Sequence, residues 1–405
     1  MLSSKKFNNI LLWILLFFGL FDTARNYTYL PIFVGYLKDI AVYLLLFLNI
    51  GNIKINLKIG LAFYFCFFLV ALTTPLGFLY SEYDKTKILI ACFKYTEFFV
   101  LVILFLNWNR IFSTDIHKIV KSYVLGSFVL CFVNIVGYYV PNPIVSVHLA
   151  NSNMILGQYG GRVTVGQPPV AIFPVIISSI YILINMETKK QMFSFLFFLL
   201  CIFIAISNTG IVAEVVSITI VLIYAITISN LVRLKNYLFY SILCLLFGSI
   251  IFYMFCSSYF ADGMYLYESK ILKFLSGNSD LQMDIRRSHW EDAFSTLEGI
   301  ELFFGRGAYG YVVGNNSFLI ENTFVSTFVQ FGLFSFLFMI VFWIRQCFFF
   351  LEKLLKEKSK DSLFCFCVAC IILLHNYTLD FYLCFTMYFA AALFVSYFYI
   401  GEKNG

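Results

Sequence analysis

Apolar runs of roughly 17–25 residues follow one another along the whole chain, each bounded by a short polar break. Wound as a helix, a run of that length crosses a hydrocarbon core of ~30 Å. Crossings are placed near 8–24, 30–50, 58–76, 88–106, 119–140, 165–185, 191–207, 210–231, 236–256, 321–344, 362–379 and 382–400, about twelve in all. The stretches 191–231 and 362–400 each read as two crossings joined by a tight turn. Polar stretches longer than a turn occur twice, from Pro141 to about Thr164 and from Ser257 to about Ile320. In the second, Trp290, Ala293, Phe294, Leu297 and Ile300 recur at helical spacing, so an amphipathic helix is expected over Met283–Glu301. The expected fold is an all-α integral membrane protein in one polytopic domain, 1–405. Its large loop, 257–320, lies between the ninth and tenth crossings and contains short helices.

The basic residues orient this scheme. Starting with the N-terminus in the cytoplasm, the inner connections collect Lys5, Lys6, Lys54, Lys58, Arg110, Lys118, Lys121, Lys189, Lys190, Arg233, Lys235, Arg345 and the lysines between 353 and 360. The short outer connections hold Arg25, Lys85, Lys87 and Arg162. Cytoplasmic loops are the ones that carry excess Lys and Arg, so both termini are expected inside and the two long loops outside. Lys5 and Lys6 ahead of an apolar run resemble a signal peptide, but no small-residue cleavage site follows Leu20, and an uncleaved first crossing is expected.

Composition agrees. Hydrophobic residues make up 61% of the chain and charged ones 12%, where a soluble globular domain has about a quarter charged. The net charge of +6 is scattered between crossings, which argues against nucleic acid as a partner. Of the eleven cysteines, all but Cys256 fall in apolar segments. The run Cys365-x-Cys367-x-x-Cys370 has no second half for a zinc site, so the thiols read as small hydrophobic packing groups.

Five ionisable residues fall inside expected crossings: Lys38, Asp39, Lys94, Glu97 and Glu214. Each costs about 2–3 kcal/mol at a helix centre and needs a partner or water. Lys94 and Glu97, spaced i and i+3, are expected to pair. Lys38 and Asp39, about 100° apart on a helix, are expected to face different partners. All five lie near the midplane or in the outer halves of their crossings, a pattern expected of a polar cavity open to the outside. The alternative, ion pairs that merely pin helices together, is equally compatible with any one of them.

Gly305-Arg306-Gly307-Ala308-Tyr309-Gly310 matches G-x-G-x-x-G literally, but the strand, helix and βαβ unit of a dinucleotide site are missing from the pattern around it. A flexible turn, or glycines letting backbone N–H groups approach an anion beside Arg306, are the surviving readings. Zinc-protease, nucleophile-elbow and P-loop motifs are absent, and no D-x-D metal pair lies near a loop. The remaining candidates are arginines of the two outer loops. Arg162 precedes a crossing in GGRVTVGQPP, Arg286 stands one helical turn before Trp290, and Arg287 shares a face with Glu291. A guanidinium fork suits a diphosphate. Glu321, at the start of the tenth crossing, is the carboxylate best placed over the cavity mouth.

In their order, these residues resemble the Wzy-type O-antigen polymerases and the related ligases of bacterial inner membranes. The likeness rests on Arg286-x-x-x-Trp290, Phe304-Gly305-Arg306-Gly307, Glu321-Asn322 with Phe331-Gly332-Leu333, and Arg162 ahead of Gly166-Gln167-Pro168. It covers mainly 160–180 and 284–335. It implies an inverting, metal-independent glycosyltransferase of the inner membrane, without a cofactor, acting on undecaprenyl-diphosphate-linked oligosaccharide at the periplasmic face. It also implies a chain-length co-polymerase and a flippase as partners. Catalytic roles are then expected for Arg162, Arg286 and Glu321, and substrate contacts for Arg287, His289, Arg306, Asn322, Lys94 and Glu214. The ligases carry a histidine where this chain has Glu321, which favours a polymerase over a ligase. A lipid-linked oligosaccharide flippase is the alternative from another class, and the charge-free inner halves of the crossings speak against it.

Overall fold

The computed structural model describes residues 4–25, 32–54, 74–82, 84–139, 168–205, 207–227, 281–311, 320, 322–377 and 384–404. Among them every regular element is helical. The longer ones are α1 (Ser4–Arg25), α2 (Ile32–Asn49), α3 (Lys85–Leu106), α4 (Ile116–Tyr139), α5 (Pro168–Ile184), α6 (Lys189–Ile204) and α7 (Asn208–Thr227). After these come α8 (Leu281–Ser295), the one-turn α9 (Glu301–Phe304), α10 (Thr323–Glu357), α11 (Lys360–Asn376) and α12 (Phe385–Asn404). Residues 74–80 are helical as well.

Among the described residues, four helical segments are long and apolar enough to cross a membrane: Val34–Asn52, Lys85–Leu106, Ile116–Ile135 and Thr323–Glu357. Shorter apolar helices, Pro169–Ile184, Thr209–Ala225 and Phe385–Tyr397, accompany them. The chain is a helical membrane protein. Helices occupy ten of the twelve expected positions. The expected crossings near 58–76, for the most part, and 236–256 lie outside the described residues, as does the outer loop from Pro141 to about Thr164.

Helix starts follow local chemistry. Asp84 caps α3 by accepting from the N–H groups of Thr86 (2.7 Å) and Lys87 (3.3 Å), and these bonds hold its carboxyl below the usual range. Thr188 and Gln191 form a capping box at the start of α6. Asn322 caps α10, accepting from Phe324 and Val325.

Two bounds differ by more than four residues from the sequence reading. The helix expected over 283–301 ends at Ser295, because the hydroxyls of Ser295 and Thr296 bond back to the Asp292 and Ala293 carbonyls and Gly299 then turns at φ 55. The crossing expected to end at 344 continues to Glu357. Its polar extension carries i,i+4 ion pairs, Glu352–Lys356 at 2.5 Å and Lys353–Glu357 at 3.0 Å. Hydropathy registers the membrane thickness but not a helix that runs on past it.

α5 lies at the centre. It packs on α1, α4, α6, α7, α11 and α12, and nearly every side chain from Val170 to Ile184 is buried. In lipid, apolar surface alone does not decide which helix goes inside, and small or hydrogen-bonding side chains select the contacts. In α5 those are Ser178, which donates to Ser127 of α4 at 2.8 Å, and Ser179, which donates to both Glu214 oxygens of α7 at 2.8 and 2.9 Å. Such bonds contribute about 0.6 kcal/mol each on average, so they specify register more than they add stability.

Helix ends are sorted. At one end, Lys5 donates to the Asn109 carbonyl (3.1 Å), Asn8 to Asn49 and to the Ile111 carbonyl (both 2.9 Å), and Lys360 pairs with Glu187 (3.3 Å). At the other end, α10 begins beside the end of α11, with Asn322 Nδ2 donating to the Tyr377 carbonyl at 2.9 Å.

Candidate functional site

The end of the bundle where α10 begins is covered by α8. Ala293 and Leu297 are buried in a small apolar cluster with Tyr311, Ile320 and Val329, against which Trp290, Val325 and Phe328 pack. The Trp290 ring also meets Tyr377 edge-on at 6.1 Å. These contacts fix Trp290, and with it Arg286 one turn earlier, beside the junction of α10 and α11. Arg286 and His289 are half-buried, each engaged by a neighbour, and Arg287 is exposed.

Below this cover α10 is broken. Gly332 takes φ 76 and ψ −179, so the carbonyls before it lose their i+4 partners. The loop after α9 supplies replacements, Arg306 N–H to Val329 O at 3.0 Å and Gly307 N–H to Gln330 O at 2.8 Å. Glycine is required on both sides of the contact. A Cβ on Gly305 would stand 2.4 Å from the Gln330 backbone, and one on Gly332 would stand 2.2 Å from Phe303 O. Gly77 completes the packing, with room for no Cβ against Ala308 O, 2.9 Å away.

The G-x-G-x-x-G segment therefore serves as a wedge that completes a broken helix. Its N–H groups at 305, 306, 307, 309 and 310 all donate within the protein, so the anion-cradle reading does not hold in this arrangement. Arg306 is engaged too, with Nε 3.4 Å from Glu301 Oε2 and the guanidinium 4.8 Å from the centre of the Tyr80 ring.

Gln330 is the hub that the sequence reading missed. It is fully buried, and its Oε1 accepts from the Tyr95 hydroxyl (2.6 Å) and Tyr309 N–H (3.0 Å) while its Nε2 donates to Ser326 (2.5 Å). The available signal was an amide inside an otherwise apolar helix, next to Phe331-Gly332. Gln330→Met, of similar volume, is expected to cost about 1–3 kcal/mol through lost acceptance from buried donors. A lowered unfolding midpoint of the purified protein checks this.

A charged cluster occupies the space between α1, α2, α3 and α12. Lys38, buried, pairs with Asp22 at 3.2 Å and Asp39 at 3.8 Å. Its ammonium also lies 5.6 Å from the Phe385 ring centre. The expectation of separate partners for Lys38 and Asp39 is thus corrected, because the long lysine chain curls back to its neighbour. Asp22, not singled out from the sequence, is the closer partner. Glu97, fully buried, accepts a short hydrogen bond from the Tyr388 hydroxyl of α12. The expected Lys94–Glu97 pair is not among the ion pairs of the described residues. Glu97 turns instead to Tyr388 of α12, while Lys94 is part-exposed.

The remaining predicted residues are placed as follows. Asn322 is buried and uses its amide oxygen on the α10 cap and its nitrogen on Tyr377. Glu214 is buried with Ser179 between α5 and α7, a contact apart from the Arg286 helix. Arg162 and Glu321 lie outside the described residues, although the flanking Ile320 and Asn322 are both buried. The described cysteines form no disulfide, and among the described residues there is no group of His, Cys, Asp and Glu able to hold a metal.

What the fold and site define together is a class: a helical membrane protein with an arginine-bearing helix seated over one end of its bundle. Compared with known proteins, the chain matches no family model and no curated sequence.

Proposed function

We propose that the protein is a surface-polysaccharide polymerase of the Wzy type, with about twelve crossings and both termini in the cytoplasm. The observation that carries the reading is the seating of α8. Trp290 on Tyr377 and the Ala293–Leu297 cluster hold the Arg286-x-x-x-Trp290 unit beside the start of α10, where Asn322 follows Glu321. The end sorting supports the orientation, because Lys5 and Lys360 are gathered at the end opposite to α8. In the reaction, a hydroxyl of one lipid-linked repeat unit attacks the anomeric carbon of the chain held on another undecaprenyl diphosphate. The new glycosidic bond forms as the bond from carbon to the diphosphate oxygen breaks, and the configuration inverts. Arg286 and Arg162, with exposed Arg287 next to Arg286 in sequence, stabilise the departing diphosphate. Glu321 takes the proton of the attacking hydroxyl. Arg306, neutralised by Glu301, has a holding role for the wedge.

A second reading, transport of lipid-linked oligosaccharide, is favoured by one observation: a discontinuous helix, α10, of the kind transporters use at their sites. In transporters the freed backbone groups face the substrate, whereas here the Val329 and Gln330 carbonyls are filled by the wedge. Deleting the gene separates these readings. A polymerase mutant is expected to display lipid A core bearing a single repeat unit. Bare core with polymerised lipid-linked chains inside the periplasm would indicate a ligase. Bare core with repeat units held in the cytoplasmic leaflet would indicate a transporter.

A further inference from the structure

The wedge sits deep. Gly332, on which Phe303 rests, lies nine residues inside α10, or ~14 Å along its axis. From Phe334 to Phe348 the outer side of α10 is exposed and apolar, ending at Arg345 and Phe348. A hydrocarbon core of ~30 Å measured back from there reaches about residue 328. The turn at Gly332 therefore falls within the apolar layer, and so does the segment packed on it.

That segment has the features such a depth demands. The N–H groups of Glu301 and of Phe303 to Gly307 all donate within the protein, as membrane interiors require of non-helical chain. Arg306 within it is neutralised by Glu301 at 3.4 Å and by the Tyr80 face, and exposed Glu298 stands before its apolar side begins at Ile300. Its outward side is apolar: Ile300 is 70% exposed, and Leu302, Phe303 and Phe304 are exposed beside it. Phe303 and Phe304 both contact Phe334, at 5.9 and 6.0 Å between ring centres, so this face continues the lipid-facing stripe of α10 without a gap.

We propose that residues 300–307 form a re-entrant foot in the leaflet nearer the start of α10, with Ile300, Leu302, Phe303 and Phe304 in contact with acyl chains. This gives part of the loop 257–320, which the sequence puts on the outer side, a place within the membrane. It stands apart from the polymerase reading, since it needs only that α10 crosses a bilayer. A second copy of the chain is a poorer occupant, because four side chains fall well short of the ~800 Å² per partner of a stable interface.

The test is Ile300→Trp in lipid nanodiscs, with wild-type emission, from Trp13, Trp108, Trp290 and Trp343, subtracted. Phosphatidylcholine brominated in mid-chain should reduce the added emission by about half or more, and the added band should be blue-shifted. Emission typical of a water-exposed tryptophan, without quenching, overturns the proposal. Blue-shifted emission without quenching also overturns it, by showing that protein covers the face. Phe303→Trp repeats the measurement should Ile300→Trp fail to fold, with the same outcomes.

Discussion

Arg286→Ala is expected to stop chain growth while leaving the protein folded. The side chain is half-buried at the edge of the α8 seat, whereas the seat itself is made by Trp290, Ala293 and Leu297. Removing the guanidinium therefore leaves the helix docked. On the proposed reading, what is lost is the cation that stabilises the diphosphate as it departs. Losing one such preorganised donor lowers turnover by on the order of 100-fold or more. Arg286→Lys keeps the charge but not the fork, so intermediate activity is expected. Trp290→Ala should act by a different route, loosening α8 and lowering both activity and stability. Polymer length on a gel, read beside protein abundance in the membrane, separates the two. Full-length polymer from Arg286→Ala would remove the residue from the catalytic set.

Gly332→Ala is expected to give the largest loss of stability among single substitutions. At φ 76 and ψ −179 the backbone is in a region open essentially to glycine alone, and a side chain there costs about 1–3 kcal/mol in strain. The added Cβ would also meet Phe303 O at 2.2 Å and Phe304 N at 2.5 Å, both backbone atoms that no rotamer change can move. Relief requires the wedge to leave α10, which frees the Val329 and Gln330 carbonyls inside an apolar layer. The protein should be poorly recovered from membranes, or melt well below wild type in detergent. Gly299→Ala is the control. Gly299 also has positive φ, but a Cβ there meets nothing within 4 Å, so only the strain is felt. Equal melting of the two variants would show that the wedge contact contributes little.

The helices were legible because a bilayer imposes one length and one polarity on each crossing, and both are written in consecutive residues. The interior was less so. Glu97 and Tyr388 are 291 positions apart, and nothing local at either residue names the other. Lys38 could be flagged as a charge needing a partner, but Asp22 becomes that partner only once α1 and α2 lie side by side. The break in α10 illustrates the limit best. Phe331-Gly332-Leu333 and Gly305-x-Gly307 could each be read as a motif, yet their shared meaning is a backbone contact between them, which no spacing rule anticipates. At the site, helical periodicity puts Trp290, Ala293, Phe294, Leu297 and Ile300 on one face, of which Trp290, Ala293 and Leu297 dock. Phe294 touches Phe328 while exposed, and Ile300 falls past the helix end and is exposed. Arg306 looked equally suited to a phosphate from sequence alone. Its engagement by Glu301 and Tyr80 depends on the turn at Gly305 and the approach of residues 74–80.

Reconstitution tests the catalytic claim most directly. Lipid-linked repeat units extracted from a strain lacking the gene are mixed with the purified protein in nanodiscs, and products are resolved by size. A polymerase lengthens them into a ladder and releases one undecaprenyl diphosphate per bond formed, and Arg286→Ala fails to do either. Repeat units that remain unjoined with folded wild-type protein, or a ladder equally long with Arg286→Ala, would contradict it.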